Sequence, residues 1–479
     1  MNPQSRFHIA HGGLAPLGRR DFLGLAAAGG IGLVGYAGAH AQDSASPAAT
    51  GVATQGRRPN ILVIVADDLG YGDLSVHGST EIATPNIDSI AQGGVRFTQG
   101  YVSCPVCSPT RAGLITGRYQ QRFGHEFNPG QVADHRTFGL PLSEVTAANI
   151  LKSAGYATCM VGKWHLGFSP DRVPTARGFD EFFGFLSGSH SYVKLEPNGE
   201  NSIFRGTEPV MEEEHLTDAF AREAVACIER HKDHPFFLYL TFNAVHNPLE
   251  PQPRYLDRFS AIADEKRRKY AALLTGLDDA VGQVLGKVRE AGLESDTLVF
   301  FISDNGGPTA NGSNNADLRE IKGTVYEGGV RVPFFAQWKG HIPEGVTFDK
   351  PVISLDILPT AAAAAAATLP GDREIDGVNL LPFITGRNAA HPHEYLYWRF
   401  GEQSAIRNKD WKLVRNQGSE ELFHLAADRT EKQDVLTEQP PIAEELRAAY
   451  AQWETNLIAP LWAQRVRTQA RGNTRLTGD

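Results

Sequence analysis

The sequence predicts an α/β protein: a large mixed, mostly parallel sheet sandwiched by helices, then a small C-terminal antiparallel sheet with a final helix. Three observations predict it. Four short runs are almost continuously apolar and rich in β-branched or aromatic residues: Asn60–Ala66, Ala157–Val161, Phe236–Phe242 and Thr297–Ile302. Such runs suit strands buried on both faces, as in a parallel sheet. Helical patterns lie between them, over Asp218–Lys232 and Ala263–Ala291, and that alternation is the signature of an α/β sandwich. After about Gly386 the texture changes to short strands joined by polar turns.

Taken in order, residues 1–41 read as a targeting segment. Arg19-Arg20-Asp21-Phe22-Leu23 precedes a weakly apolar Gly/Ala-rich stretch, and Ala39-His40-Ala41 has the small-x-small pattern of a signal-peptidase site. A twin-arginine pair in that setting resembles a bacterial Tat signal, which implies export to the periplasm or beyond. The alternative is an uncleaved anchor, and the glycine content argues against it. Residues 42–57 read as an Ala/Ser/Thr-rich linker. No later stretch is long and apolar enough for membrane insertion. Residues 58–386 read as the main α/β domain and 387–479 as a C-terminal α+β subdomain. In the latter, Glu394–Phe400, Ser404–Val414 and Glu421–Leu425 read as strands, with a turn at Lys409-Asp410 and a helix near Pro441–Thr455. The Ala361–Ala367 run reads as helix on propensity alone.

The chain has 479 residues, 41% hydrophobic and 21% charged, which suits a globular protein with one large domain and a smaller one. Its net charge of -9 and the lack of a basic, aromatic-interleaved run exclude a nucleic-acid partner. An acidic surface does not exclude an anionic substrate, because a local basic pocket can outweigh it. Four cysteines, Cys104, Cys107, Cys159 and Cys227, could form two disulfides in an exported protein unless one is chemically consumed.

The residues just beyond each apolar run carry the chemistry. Asp67-Asp68 comes after the first, Lys163-Trp164-His165 after the second, His246 after the third and Asp304-Asn305 after the fourth. Ligand sites in open α/β sheets form outside the carboxyl ends of strands, so these residues converge on one sheet edge. Each pair alone is the composition of a turn or cap. Together, Asp67, Asp68, Asp304 and Asn305 offer four oxygen donors suited to Ca²⁺ or Mg²⁺ rather than zinc. Cys104-Pro105-Val106-Cys107 is a C-x-x-C, open to a redox or disulfide interpretation, but nothing in either role requires the segment after it.

That segment is Cys107-Ser108-Pro109-Thr110-Arg111 leading to Thr116-Gly117. Cys107-x-Pro109-x-Arg111 with Thr116-Gly117 resembles the modification motif of the formylglycine-dependent sulfatases, of the alkaline phosphatase superfamily. The resemblance extends to Asp67-Asp68-Leu69-Gly70-Tyr71-Gly72, Gly162-Lys163-Trp164-His165-Leu166-Gly167, Lys322-Gly323-Thr324 with Glu327-Gly328-Gly329-Val330-Arg331, and Leu422-Phe423-His424-Leu425 with Asp428. It spans roughly Arg58 to Leu436 and departs at Arg429, where the family usually has proline.

The resemblance implies an alkaline-phosphatase-like fold and a sulfatase acting on sulfated carbohydrate. Cys107 would be oxidised to formylglycine (3-oxoalanine) by a formylglycine-generating or sulfatase-maturing enzyme. Asp67, Asp68, Asp304, Asn305 and residue 107 would hold Ca²⁺, with Mg²⁺ the lesser choice. Arg111, Lys163 and Lys322 would face the charge that develops on the sulfate oxygens. His246 would protonate the leaving oxygen, and His165 would deprotonate the hydrated aldehyde so that it expels sulfate. Ser189, His190 and Tyr192 lie in a loop, Gly188–Tyr192, where relatives place substrate contacts. The alternatives are a phosphonate monoester hydrolase or phosphodiesterase of the same superfamily, or a non-catalytic binding protein in which Cys107 stays unmodified.

Overall fold

The computed structural model describes residues 57–129 and 138–463. The Tat-type signal and most of the linker therefore lie outside the described residues.

A ten-stranded sheet forms the centre. Its five middle strands run parallel, in the order Thr297–Ser303, Asn60–Ala66, Phe236–Thr241, Ala157–Lys163 and Glu181–Phe185. The four apolar runs are thus strands, each within about two residues of its sequence limits. Their side chains alternate between two cores. Ile61, Val63 and Val65 enter one cluster, while Leu62, Ile64 and Ala66 enter the other. Period-two alternation with apolar residues at every position is what burial on both faces demands. Antiparallel strands flank the parallel set: Phe334–Gln337 pairs with Thr297–Ser303 and with Val95–Phe97, and Ile203–Arg205 pairs with Glu181–Phe185.

Helices cover both faces. Leu216–His231 and Glu265–Glu290 contribute to one core, Cys107–Thr116, Ala147–Ser153 and Ile357–Ala364 to the other. The long helix starts where Asp264 accepts from the backbone N–H groups of Lys266 and Arg267, an N-cap that satisfies two orphan donors.

The alanine run differs from its propensity. The helix begins earlier, at Ile357, and stops at Ala364 inside the run. Ala366 takes φ 51°, the Ala367 N–H donates to the Ala362 carbonyl, and the Ala366 N–H donates to that of Ala363. That is a Schellman cap with alanine where glycine is usual.

Leu396–Phe400, Gln403–Arg407, Trp411–Asn416 and Ser419–His424 form an antiparallel sheet, followed by the Pro440–Glu454 helix. Ser404–Val414 divides into two strands at the Lys409-Asp410 turn. This sheet packs on the core of the large sheet through Leu396, Trp398, Leu413 and Leu422.

Cys159 and Cys227 are joined in one disulfide between a central strand and the Leu216–His231 helix, while Cys104 and Cys107 are free. The C-x-x-C is therefore not a disulfide. No helix among the described residues is long and apolar enough to cross a membrane.

Candidate active site

The carboxyl ends of the central strands bring the predicted residues together. Asp67 and Asp68 leave the Asn60–Ala66 strand, Asp304 and Asn305 the Thr297–Ser303 strand, and His165 follows the strand that Lys163 ends. The Asp304 N–H donates to the Ala66 carbonyl at 3.0 Å, and the Asp68 N–H to Asp304 Oδ1 at 3.2 Å, so the two strand ends are stitched at the site. Asp68 and His165 both adopt left-handed backbone, φ 61° and 59°. Non-glycine residues hold that conformation only where surrounding structure overdetermines it, which is common at functional sites.

Cys107 is the first residue of its helix, at the positive end of the helix dipole. Pro109 is tolerated because a first-turn N–H would lack an intrahelical acceptor in any case. Gly117, φ 67°, closes the helix in the left-handed conformation. The Thr110 hydroxyl donates to the Cys104 carbonyl at 2.6 Å, which fixes the approach of the C-x-x-C segment.

Three cations meet three carboxylates. Lys163 Nζ lies 2.6 Å from Asp67 Oδ2. Arg111 donates from Nη2 to Asp304 Oδ2 at 2.7 Å and from Nη1 to the Lys163 carbonyl at 3.2 Å. Lys322 pairs with Asp68 Oδ1 and reaches Cys107 Sγ at 3.1 Å. His246 Nε2 is 3.6 Å from Asp68 Oδ2, and its ring is the most exposed of the group. Burial alone would push the Asp67 carboxyl up, but Lys163, His246 and Arg111 outweigh it and hold it below the ordinary range. Asp68 behaves alike, with Lys322 and His246 opposing burial. Burial pushes the Cys107 thiol up to about 12 against the pull of Lys163 and Lys322, so an unmodified Cys107 is a neutral thiol there. Burial, reinforced by Lys163 and Arg111, lowers the His165 imidazole well below its usual value and keeps it neutral.

The donor set fits a divalent cation. Ligand atoms of Asp67, Asp68, Cys107 and His246 lie within 4.8 Å of one another. Asn305 donates from Nδ2 to Asp68 Oδ1 at 2.7 Å, yet its Oδ1 is buried with no hydrogen-bond partner. A buried amide oxygen without a donor is costly unless a cation takes it. Asp67, Asp68 and Asp304 also balance Arg111, Lys163 and Lys322 in formal charge, so the side chains alone leave little net attraction for an anionic ester.

The loop residues divide. Ser189 and His190 line a cavity of about 670 Å³, but both His190 ring nitrogens are engaged by backbone carbonyls, of Ser191 at 2.8 Å and Asn201 at 3.0 Å. His190 thus braces the loop. Tyr192 is fully buried, its hydroxyl within hydrogen-bond reach of the Asn243 and His246 carbonyls.

Several residues outside the expected site set support it. Asn311 Nδ2 reaches the carbonyls of Asp68 at 3.2 Å and Val245 at 3.1 Å, tying two strand-end loops. The Ser108 hydroxyl lies 2.6 Å from both His125 Nε2 and the His165 carbonyl. The Gly323 N–H donates to the Pro105 carbonyl at 2.9 Å, docking the Lys322 loop on the Cys107 segment. Asn311 sits in a turn-like Asn/Gly/Ser run whose only signal is composition. Arg429 pairs with Asp317 at 2.7 Å, so the departure from proline adds an ion pair between surface turns.

Comparison with known proteins agrees with this geometry. The Sulfatase family model matches residues 59–367, and the N-sulphoglucosamine sulphohydrolase C-terminal model matches residues 321–455. Arylsulfatase A of Homo sapiens is 38% identical over 372 residues, covering 71% of this chain and 70% of the relative. N-acetylgalactosamine-6-sulfatase of Sus scrofa is 36% identical over 375 residues, covering 73% and 70%. Among solved structures, Ps i-CgsB in complex with k-i-k-neocarrahexaose superposes with a TM-score of 0.81 at 34% identity, covering 86% of this chain and 96% of that one. Matched over that length, the chain belongs to the sulfatase family and is a sulfuric ester hydrolase.

Proposed function

We propose that the protein is an exported bacterial enzyme that hydrolyses sulfate esters of carbohydrates, with residue 107 converted to formylglycine and a Ca²⁺ ion beside it. The observation that carries this reading is the orphaned Oδ1 of Asn305, whose amide is bonded to Asp68, next to the grouping of Asp68 with Asp67 and the helix-start Cys107 within 4.8 Å. Relatives named N-acetylgalactosamine-6-sulfatase, and a related structure holding a neocarrahexaose, support a sulfated saccharide as substrate.

Asp67, Asp68, Asp304 and Asn305 would hold the cation together with residue 107. The cation would act as a Lewis acid on the sulfate group and on the hydroxyl of the hydrated aldehyde. Arg111, Lys163 and Lys322 bind and orient the sulfate, placing fixed positive charge where negative charge grows. His246, the most solvent-open of the group, hands a proton to the departing alcohol oxygen. His165, neutral and buried with its Nδ1 unpartnered, accepts the proton whose removal lets sulfate leave. Cys107 needs the maturation enzyme because its buried neutral thiol offers little nucleophile.

The reaction class is tested by side-by-side turnover of an aryl sulfate and an aryl phosphate diester by protein from the native host. The aryl sulfate is expected to be the faster substrate. A preference for the phosphate diester would instead support the phosphonate and phosphodiester branch of the superfamily.

A further inference from the structure

The Cys159–Cys227 disulfide has two further polar side chains beside it. Cys159 lies on the Ala157–Lys163 strand, and its register partner on the next parallel strand is Glu181. Register partners on parallel strands point to the same face of a sheet. Here that face is the one the Leu216–His231 helix covers, since Cys159, Phe183 and Cys227 share one core. From the helix, Cys227 and His231 stand four residues apart and so project side by side. The Sγ atoms of Cys159 and Cys227 and a ring nitrogen of His231 lie within 4.8 Å of one another. His231 Nε2 donates to Glu181 Oε1 at 2.7 Å, and Arg230 pairs with the other oxygen of that carboxylate.

A disulfide uses only two of these groups. Two cysteine sulfurs and an imidazole are donors that select zinc. A tetrahedral ion with bonds of about 2.0–2.3 Å spaces its ligand atoms about 3.3–3.8 Å apart, inside the span found here. A carboxylate that accepts from a metal-binding histidine fixes its tautomer and its orientation, which is where Glu181 stands. Both cysteines are buried, whereas the His231 and Glu181 side chains are 23% and 35% exposed, so an ion and a water ligand can enter from the His231 side. Cys159 precedes Lys163 by four residues, about 13 Å along the strand, which sets this cluster apart from the reaction centre.

We propose that Cys159, Cys227 and His231 form a redox-gated zinc site, closed as the disulfide and opened by reduction. A dithiol reductant delivers two electrons and two protons to the S–S bond and leaves as its own disulfide. The two thiols then lose their protons as Zn²⁺ binds both sulfurs and the imidazole, with Glu181 positioning His231 and water as the fourth ligand. The strand and the helix are thereby held together in either condition, by a covalent bond or by an ion. This inference does not depend on the sulfatase reading.

The test compares the full chain before and after reduction by a phosphine, which ends as its oxide with an oxygen taken from water. Excess Ca²⁺ is present in both samples, and the oxidised sample accounts for any zinc held at the reaction centre. Reduction is expected to add about one Zn²⁺ per chain, bound at least about 100-fold more tightly than by the oxidised chain, with thiolate-to-metal charge-transfer absorption when Co²⁺ replaces it. His231→Ala and Glu181→Gln, both at partly exposed positions, should each weaken that zinc by at least about tenfold. Equal zinc binding by the two forms, a Co²⁺ spectrum without the thiolate band, unchanged affinity in His231→Ala, or a reduced chain that unfolds without taking up zinc would each overturn the proposal.

Discussion

Two buried charged clusters lie in this molecule, and they differ in what they leave open. At the strand ends, Asp67, Asp68 and Asp304 face Arg111, Lys163 and Lys322, with Asn305 Oδ1 orphaned and His246 reaching solvent. Where the C-terminal sheet meets the core, Lys412 Nζ sits 2.8 Å from Glu327 and 2.9 Å from Glu431, every partner buried. There the Glu327 carboxylate also accepts from Tyr101 at 2.7 Å and Arg331 at 3.2 Å, and Glu431 accepts from the Glu327 N–H at 2.7 Å. Both clusters shift pKa values, so perturbation alone does not mark a reaction site. Left-handed backbone does not separate them either, since Glu431 takes φ 51° as Asp68 and His165 take theirs. The difference is that Glu431 Oε1 meets Lys412 Nζ at 2.9 Å while Asn305 Oδ1 has no hydrogen-bond partner, and that His246 and Lys322 are partly open to solvent where the Lys412 cluster is sealed. The Lys412 cluster joins two parts of the fold; the Asp67 cluster is built to receive something.

The sharpest way to break that contrast is Cys107→Ala. Turnover of an aryl sulfate should fall by roughly 10⁴-fold or more, while stability drops by less than about 2 kcal/mol. Chemical denaturation and activity on one preparation check both, and substantial residual turnover would remove Cys107 from the chemistry.

Substituting Lys412→Ala should do the reverse. It strips the shared cation from two buried carboxylates, of which Glu327 keeps Arg331 and Glu431 keeps none from the cluster, and should cost about 3–5 kcal/mol, with activity per folded molecule retained. Lost activity at unchanged stability would erase the distinction between the clusters.

Metal linkage sharpens the comparison further. Exhaustive chelation should silence the enzyme, and Ca²⁺ at about 100 times its Kd should restore activity and add ~2.7 kcal/mol of stability. Asn305→Ala should raise the Ca²⁺ needed for that shift by at least about tenfold. A melting curve indifferent to Ca²⁺ in the wild type would argue against the oxygen cluster as a cation site.

The last effect, confined to the Lys412 cluster, belongs to pH. Burial lifts the Glu431 carboxyl to about 7, with Glu327 adding to it and Lys412 opposing. Against its own burial, Glu327 is pulled down to about 2 by Lys412, Arg331 and Arg407. A raised folded-state value means that Glu431 contributes stability below pH 4.5, lost as pH rises through about 7. The loss amounts to at most ~3 kcal/mol. Glu431→Gln should flatten that slope in unfolding measurements between those pH values, and an unchanged slope would place the titration elsewhere.

Much of this was legible from sequence, for physical reasons that also mark its limits. Asn60–Ala66 announces a doubly buried strand because every position is apolar or, at Asn60, tied to the neighbouring Thr297 hydroxyl at 3.2 Å. The polar residues that end each strand converge because parallel strands put all their carboxyl ends on one edge. The end of the alanine helix was not legible, since propensity ranks every alanine alike while the cap at Ala366 depends on where the chain must turn. The pairing of Cys159 with Cys227, 68 residues apart, and of Lys412 with Glu327 exists only once the sheet and its covering helix are assembled. His190 illustrates the same limit: its loop position suggests a substrate contact, whereas its ring nitrogens are spent on the loop's own carbonyls.

The most direct test of the central claim is mass spectrometry of the tryptic peptide Phe97–Arg111 from catalytically active protein purified from its native host. Residue 107 is expected as an aldehyde or its hydrate, in proportion to specific activity across preparations. Full activity in protein whose residue 107 is entirely thiol would contradict it.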